Sequence, residues 1–119
     1  MKSKWITHRG RQILFADYAG FNSDTGALLI EMEAATAVLA QQPKDSTLLL
    51  IDLSGTAVNA GLSRWYRPAA PTVALIHKEA VVGMTGLLNL LYKGFVKISG
   101  QKNTAVFDDS PSALDWLSE

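Results

Sequence analysis

The segment Thr47-Leu48-Leu49-Leu50-Ile51-Asp52-Leu53 constrains this chain more than any other. It is apolar at every position from Leu48 to Ile51. Successive side chains of a β-strand point to opposite faces of the sheet, so both faces of this segment require burial. That is the pattern of a central strand covered on both sides. Ser54-Gly55-Thr56 breaks the run. The rest of the chain must therefore supply flanking strands and the helices that cover them.

The neighbouring segments read accordingly. Trp5–His8 and Gln12–Tyr18 form two short strands joined by Arg9-Gly10-Arg11, where Gly10 tolerates the positive φ of a tight turn. Asn22-Ser23-Asp24 offers caps for a helix over Thr25–Gln42. Leu28, Leu29, Met32, Ala35 and Leu39 cluster on one face of that helix, while Glu31 and Glu33 fall elsewhere, as a solvated face requires. Pro43 ends it. A helix is expected at about Asn59–Tyr66, interrupted by Pro68, with a continuation over Pro71–His77. Ala80-Val81-Val82-Gly83 reads as a second buried strand, Gly86–Ile98 as a helix with Thr85 as a cap, and Thr104–Phe107 as a third buried strand. Asp108-Asp109-Ser110-Pro111 starts a last helix, which buries Ala113, Leu114, Trp116 and Leu117. Strands that alternate with helices imply parallel crossovers. The expected architecture is an α/β domain with a mixed, mostly parallel sheet of about five strands and about four helices.

Composition sets the broad class. The chain has 119 residues, of which 48% are hydrophobic and 18% charged. This is one globular domain, residues 1–119, with enough chain to bury a core. Eleven basic residues balance eleven acidic ones. A nucleic-acid partner is therefore not expected, because phosphate neutralisation needs a basic excess. There is no cysteine, which removes disulfides, thiolate nucleophiles and cysteine zinc sites and suits a reducing cytoplasm. The segment MKSKWITHRGRQ lacks the apolar core of a signal peptide. No apolar run reaches the ~18–20 residues that span a bilayer.

Leu50-Ile51-Asp52-Leu53-Ser54-Gly55-Thr56, Ala80-Val81-Val82-Gly83-Met84-Thr85-Gly86-Leu87, Phe107-Asp108 and Ala113-Leu114-Asp115-Trp116-Leu117 follow in that order. Together they resemble the STAS/SpoIIAA-like domains of bacteria, from about Trp5 to Leu117. The resemblance implies a mixed-sheet domain related in architecture to anti-sigma-factor antagonists and to CRAL-TRIO lipid-transfer domains, with no established catalytic activity. Domains of this kind carry an Asp-Ser-Ser-Gly-like motif, phosphorylated on serine, soon after the strand that ends here at Asp52. This chain reads Val58-Asn59-Ala60-Gly61-Leu62-Ser63 instead. The motif is missing, and Ser63 is the nearest hydroxyl that could be phosphorylated.

Two loops follow strands at the edge where open α/β sheets bind ligands, Ser54-Gly55-Thr56 and Met84-Thr85-Gly86. Their backbone N–H groups could hold an anion, or the loops could be plain turns and caps. Neither fits the phosphate-binding or dinucleotide glycine patterns. Asp52 is expected to accept N–H bonds from the Gly55–Val58 turn. His8 and His77 stand alone in sequence, so no metal site is expected. There is no Gly-x-Ser-x-Gly elbow. Arg64-Trp65-Tyr66-Arg67 pairs two guanidinium groups with two aromatics, which suits phosphate contact and stacking, or else a helix with Trp65 inward and solvated arginines. In Gly86–Ile98 the polar residues Asn89, Lys93 and Lys97 form one narrow stripe. The remaining apolar arc spans roughly 240° at 100° per residue, far more than one sheet contact requires. Leu88, Leu91, Tyr92 and Phe95 on that arc meet a neighbouring helix, a second subunit, an apolar ligand or a membrane surface.

The function expected from all this is a non-catalytic regulatory or protein-interaction module without a cofactor. Its partner is another protein or a second copy of itself. The alternative is a binder of a small apolar or lipid-like molecule between sheet and helices. The candidate ligand or partner residues are Ser54, Gly55, Thr56, Arg64, Trp65, Thr85, Leu88, Leu91, Tyr92 and Phe95.

Overall fold

The computed structural model describes residues 1–57, 74–84 and 103–119. In chain order these form β1 (Lys4–His8), β2 (Arg11–Asp17), α1 (Thr25–Leu39), β3 (Thr47–Asp52), β4 (Ile76–Val82), β5 (Thr104–Val106) and α2 (Ser110–Leu117). The strands make one five-stranded sheet in the order β1-β2-β3-β4-β5. β1 is antiparallel to β2, and every other neighbouring pair is parallel. The mixed α/β architecture is thus as the sequence predicts. The described residues hold two helices; the segments expected to form the others, Asn59–Tyr66 with its continuation and Gly86–Ile98, lie largely or wholly outside them.

β3 occupies the centre, and all five residues from Thr47 to Ile51 are buried. Its side chains divide between two cores. Leu49 and Ile51 pack with Leu14, Ala16 and Val81 beneath Leu28, Ala35 and Leu39 of α1. Leu48 and Leu50 pack with Ile13, Ala80 and Val82 against Ala113 and Leu117 of α2. The helices therefore cover opposite faces, which is what a strand without a polar side demands. Each such leucine contributes on the order of 1.5–3 kcal/mol by leaving water.

The hairpin between β1 and β2 closes at His8↔Arg11 with a two-residue turn. Arg9 and Gly10 both have positive φ, 51° and 77°, which is the mirror-image turn that matches strand twist. Asp24 caps α1 by accepting from the Ala27 N–H at 3.1 Å, and Asp109 caps α2 by accepting from the Ser112 N–H at 2.8 Å. That bond holds the exposed Asp109 carboxyl below its ordinary value.

Two boundaries, by more than one residue, and one burial assignment differ from the sequence expectations. Ile76 and His77, expected at the end of a helix, are the first residues of β4, which begins four positions before the expected Ala80. β5 pairs only with Glu79–Val81, so among the described residues the first part of β4 has a neighbouring strand on one side only. His77 and Lys78 precede the stretch that pairs with β5, and together with Glu79 they put three polar residues in a row that mask the strand pattern. Second, α1 stops at Leu39, and Gln41 and Gln42 tighten its exit by donating to the Val38 and Leu39 carbonyls. Third, Glu31 is not on a solvated face. It is 6% exposed and belongs to the buried stripe of α1.

Candidate functional site

The carboxyl ends of β2, β3 and β4 meet at a rim built from two turns and Gly83. Tyr18–Asn22 and Leu53–Ala57 run side by side beyond the sheet. Gly20 N–H donates to the Ser54 carbonyl at 2.8 Å, Asn22 N–H to the Gly55 carbonyl at 2.9 Å, and Ala57 N–H to the Asn22 carbonyl at 2.7 Å. The Thr56 hydroxyl donates to the Tyr18 carbonyl and accepts from the Phe21 N–H. Gly55 sits at φ 69°, a conformation glycine adopts without steric cost.

Of the expected site residues, the structure gathers Ser54, Gly55 and Thr56 at this rim. Ser54 is exposed, and its N–H donates to Asp52 Oδ1 at 2.9 Å. Asp52 was expected to bond further along the turn; the donor two residues on is the one an aspartate side chain reaches most directly. The Thr56 and Ala57 N–H groups also have backbone partners. Gly83 closes the rim from β4 at φ 85°, and a Cβ there would collide with Ser54 and come within 2.8 Å of Asp52 Oδ1. Ser63, Arg64, Trp65, Thr85, Leu88, Leu91, Tyr92 and Phe95 lie outside the described residues, as do Tyr66 and Arg67.

Beside the rim is a feature the sequence reading missed. The Glu31 carboxylate accepts from the Lys2 N–H at 2.7 Å and from the Ser3 N–H at 3.0 Å. Ser3 is 3% exposed, and its hydroxyl accepts from the Asp17 N–H at 3.1 Å. Burial alone would raise the Glu31 carboxyl, but the bonds from Lys2 and Ser3 outweigh it and hold the group below its ordinary value. The Lys2 ammonium bonds the Ala19 carbonyl, lies 3.6 Å from Asp17 Oδ1 and sits 4.6 Å from the centre of the Phe21 ring. The segment before β1 is thereby fastened to both α1 and the rim. Tyr18 is buried in the same core, and its phenol is pushed far above its ordinary value by burial and then by the charges of Glu31 and Glu79. The spacing Leu28, Glu31, Ala35, Leu39 is itself a helical stripe, and that was the available signal.

Both histidines have carboxylate partners distant in sequence. His8 Nε2 is 3.0 Å from Asp115 Oδ1, which Arg9 Nη2 also approaches at 3.3 Å. His77 Nδ1 is 3.1 Å from Asp45 Oδ1. On the α2 face Lys78 donates to the Trp116 carbonyl at 2.9 Å and lies 5.1 Å from its ring centre. Among the described residues no three His, Asp or Glu side chains are grouped to hold a metal ion, and no helix is long and apolar enough to cross a membrane.

The outward side of α1 has an unusual composition. Gly26, Ile30, Glu33 and Ala37 succeed one another at spacings that place them on one face, and all are exposed, Ile30 by 71%. Glu33 is the one charge among these four. Compared with protein-family models, with curated proteins and with solved structures, the chain matches none.

Proposed function

We propose that this chain is a STAS/SpoIIAA-like regulatory module that works by contacting another protein and catalyses no reaction. The observation that carries this reading is the outward face of α1. A helix laid on a sheet normally keeps charged residues on its water side. Here that side presents Ile30 between Gly26 and Ala37, with Glu33 alongside. Small residues allow another backbone to approach closely, and an exposed isoleucine offers it an apolar anchor. The occupant that fits is an amphipathic helix of a second protein. The rim is consistent with this reading: the Thr56 hydroxyl and Asp52 each hold a turn in place.

A photoreactive residue substituted at Ile30 tests the proposal in cells. One discrete protein adduct is expected, and that protein, once purified, should bind the wild-type chain and bind Ala37→Lys at least about tenfold more weakly. A captured protein that binds Ala37→Lys equally well contradicts the proposal. Native mass spectrometry showing a bound apolar molecule, with no adduct at residue 30, would favour the lipid-like alternative.

A further inference from the structure

Among the described residues β1 is an outer strand of the sheet, and its five residues are self-complementary about Ile6. We infer that two copies of this chain pair through β1, antiparallel, to form one continuous sheet across a twofold axis. The surface is separate from the outward face of α1, so the inference does not depend on the function proposed above.

The backbone comes first. In an antiparallel pair, alternate residues turn both N–H and C=O toward the partner strand. The hairpin closes at His8↔Arg11 around a two-residue turn and continues through Ile6↔Ile13 to Lys4↔Phe15. That register commits Lys4, Ile6 and His8 to β2 and turns the backbone groups of Trp5 and Thr7 to the open edge. A second β1 centred on Ile6 sets Trp5 opposite Thr7 twice. Each such pair exchanges two hydrogen bonds, and the contact is the same patch on both subunits.

Side chains then select the second copy over any other strand. Trp5 is 41% exposed, an unusual position for a tryptophan on an edge strand. In the paired sheet the two Trp5 rings are diagonal neighbours, within aromatic reach of each other. Lys4 has no ion pair among the described residues. An unpaired lysine on an edge ordinarily discourages strand addition. Pairing about Ile6 puts Lys4 across from His8 of the other copy, where Asp115 Oδ1 lies 3.0 Å from the imidazole and its side chain is 50% exposed. The lysine thus meets a carboxylate twice in the dimer. A foreign strand lacking an acid at that position would leave it unpaired.

Sedimentation equilibrium of the full chain tests this. The expected mass is twice 12.9 kDa, falling toward the monomer on dilution. Lys4→Glu sets two carboxylates against each other and should weaken association on the order of tenfold. Lys4→Glu with Asp115→Lys should restore it. Thr7→Pro removes an edge-facing donor and leaves the β1–β2 backbone ladder intact, losing across the hairpin only the exposed bond from Gln12 Nε2 to the Thr7 hydroxyl, and should weaken association on the order of thirtyfold. Far-UV circular dichroism confirms folding, and should Thr7→Pro misfold, the charge-reversal pair decides alone. A wild-type chain that stays at 12.9 kDa overturns the inference, as does a dimer indifferent to Lys4→Glu. A monomer that still captures a partner at residue 30 would overturn it and leave the α1 proposal standing.

Discussion

Replacing Glu31 by alanine exposes how much of the fold hangs on one buried carboxylate. The change deletes the acceptor of two N–H groups, from Lys2 at 2.7 Å and Ser3 at 3.0 Å. Lys2 is exposed, so water takes over its bond. Ser3 is 3% exposed, so its N–H is left without a partner, and an orphaned buried donor costs about 1–3 kcal/mol. Alanine returns a few tenths of a kcal/mol in helix propensity, roughly cancelling the smaller losses. The net expectation is a destabilisation of about 2 kcal/mol, or roughly 8 °C in melting temperature at about 4 °C per kcal/mol for a domain this size. Urea titration followed by circular dichroism measures it. A truly solvated glutamate would give a change within about 0.5 kcal/mol, and that result refutes the clamp. The acid limb supplies an independent check. Glu31 titrates below the ordinary 4.5 in the folded state, so its stabilisation is complete above that value. It is lost as pH falls below 4.5 and through the folded-state pKa, because the unfolded chain takes up the proton first. Glu31→Gln should flatten this part of the pH–stability profile.

Other substitutions separate the layers of the account. Leu50→Ala empties a site 1% exposed and should cost about 2–5 kcal/mol in denaturant titration. Gly83→Ala forces a side chain into a left-handed position at φ 85° against Ser54 and Asp52; a loss of at least ~1 kcal/mol is expected, and a neutral result would contradict the close packing of the rim. Thr47 is 3% exposed and its hydroxyl has no hydrogen-bond partner among the described residues. Thr47→Val should therefore raise stability by about 1 kcal/mol in the same assay. Asp115→Asn removes only surface pairs with His8 and Arg9, so monomer stability should change by less than about 1 kcal/mol.

What was legible in the sequence follows the range of the interactions involved. β3 announces itself because an apolar strand buried on both faces looks the same wherever its neighbours come from. The β1–β2 turn and the two aspartate caps are equally plain, since each depends on residues within four positions of one another. The start of β4 was hidden, because His77, Lys78 and Glu79 take partners or cover remote in sequence: Asp45, Trp116 and Thr104 respectively. Glu31 was misjudged for a related reason. A glutamate on a helix is normally solvated, and only the Lys2 and Ser3 N–H groups, 29 and 28 residues away, make its burial tolerable. His8 looked solitary because Asp115 is 107 residues distant. At the candidate site, Ser54-Gly55-Thr56 was located correctly at a strand end, while its bonding to the Tyr18–Asn22 segment depends on a parallel register that composition does not encode.

The claim on which the functional account rests is that the outward face of α1 is a protein-binding surface. The most direct measurement is the affinity of the protein captured at residue 30 for the wild-type chain and for Ala37→Lys, with both chains shown to have the same melting temperature. The account predicts binding by the wild type and a loss of at least about tenfold in the variant, the weight of one buried charge placed against an apolar contact. Equal affinity for the two chains would contradict it.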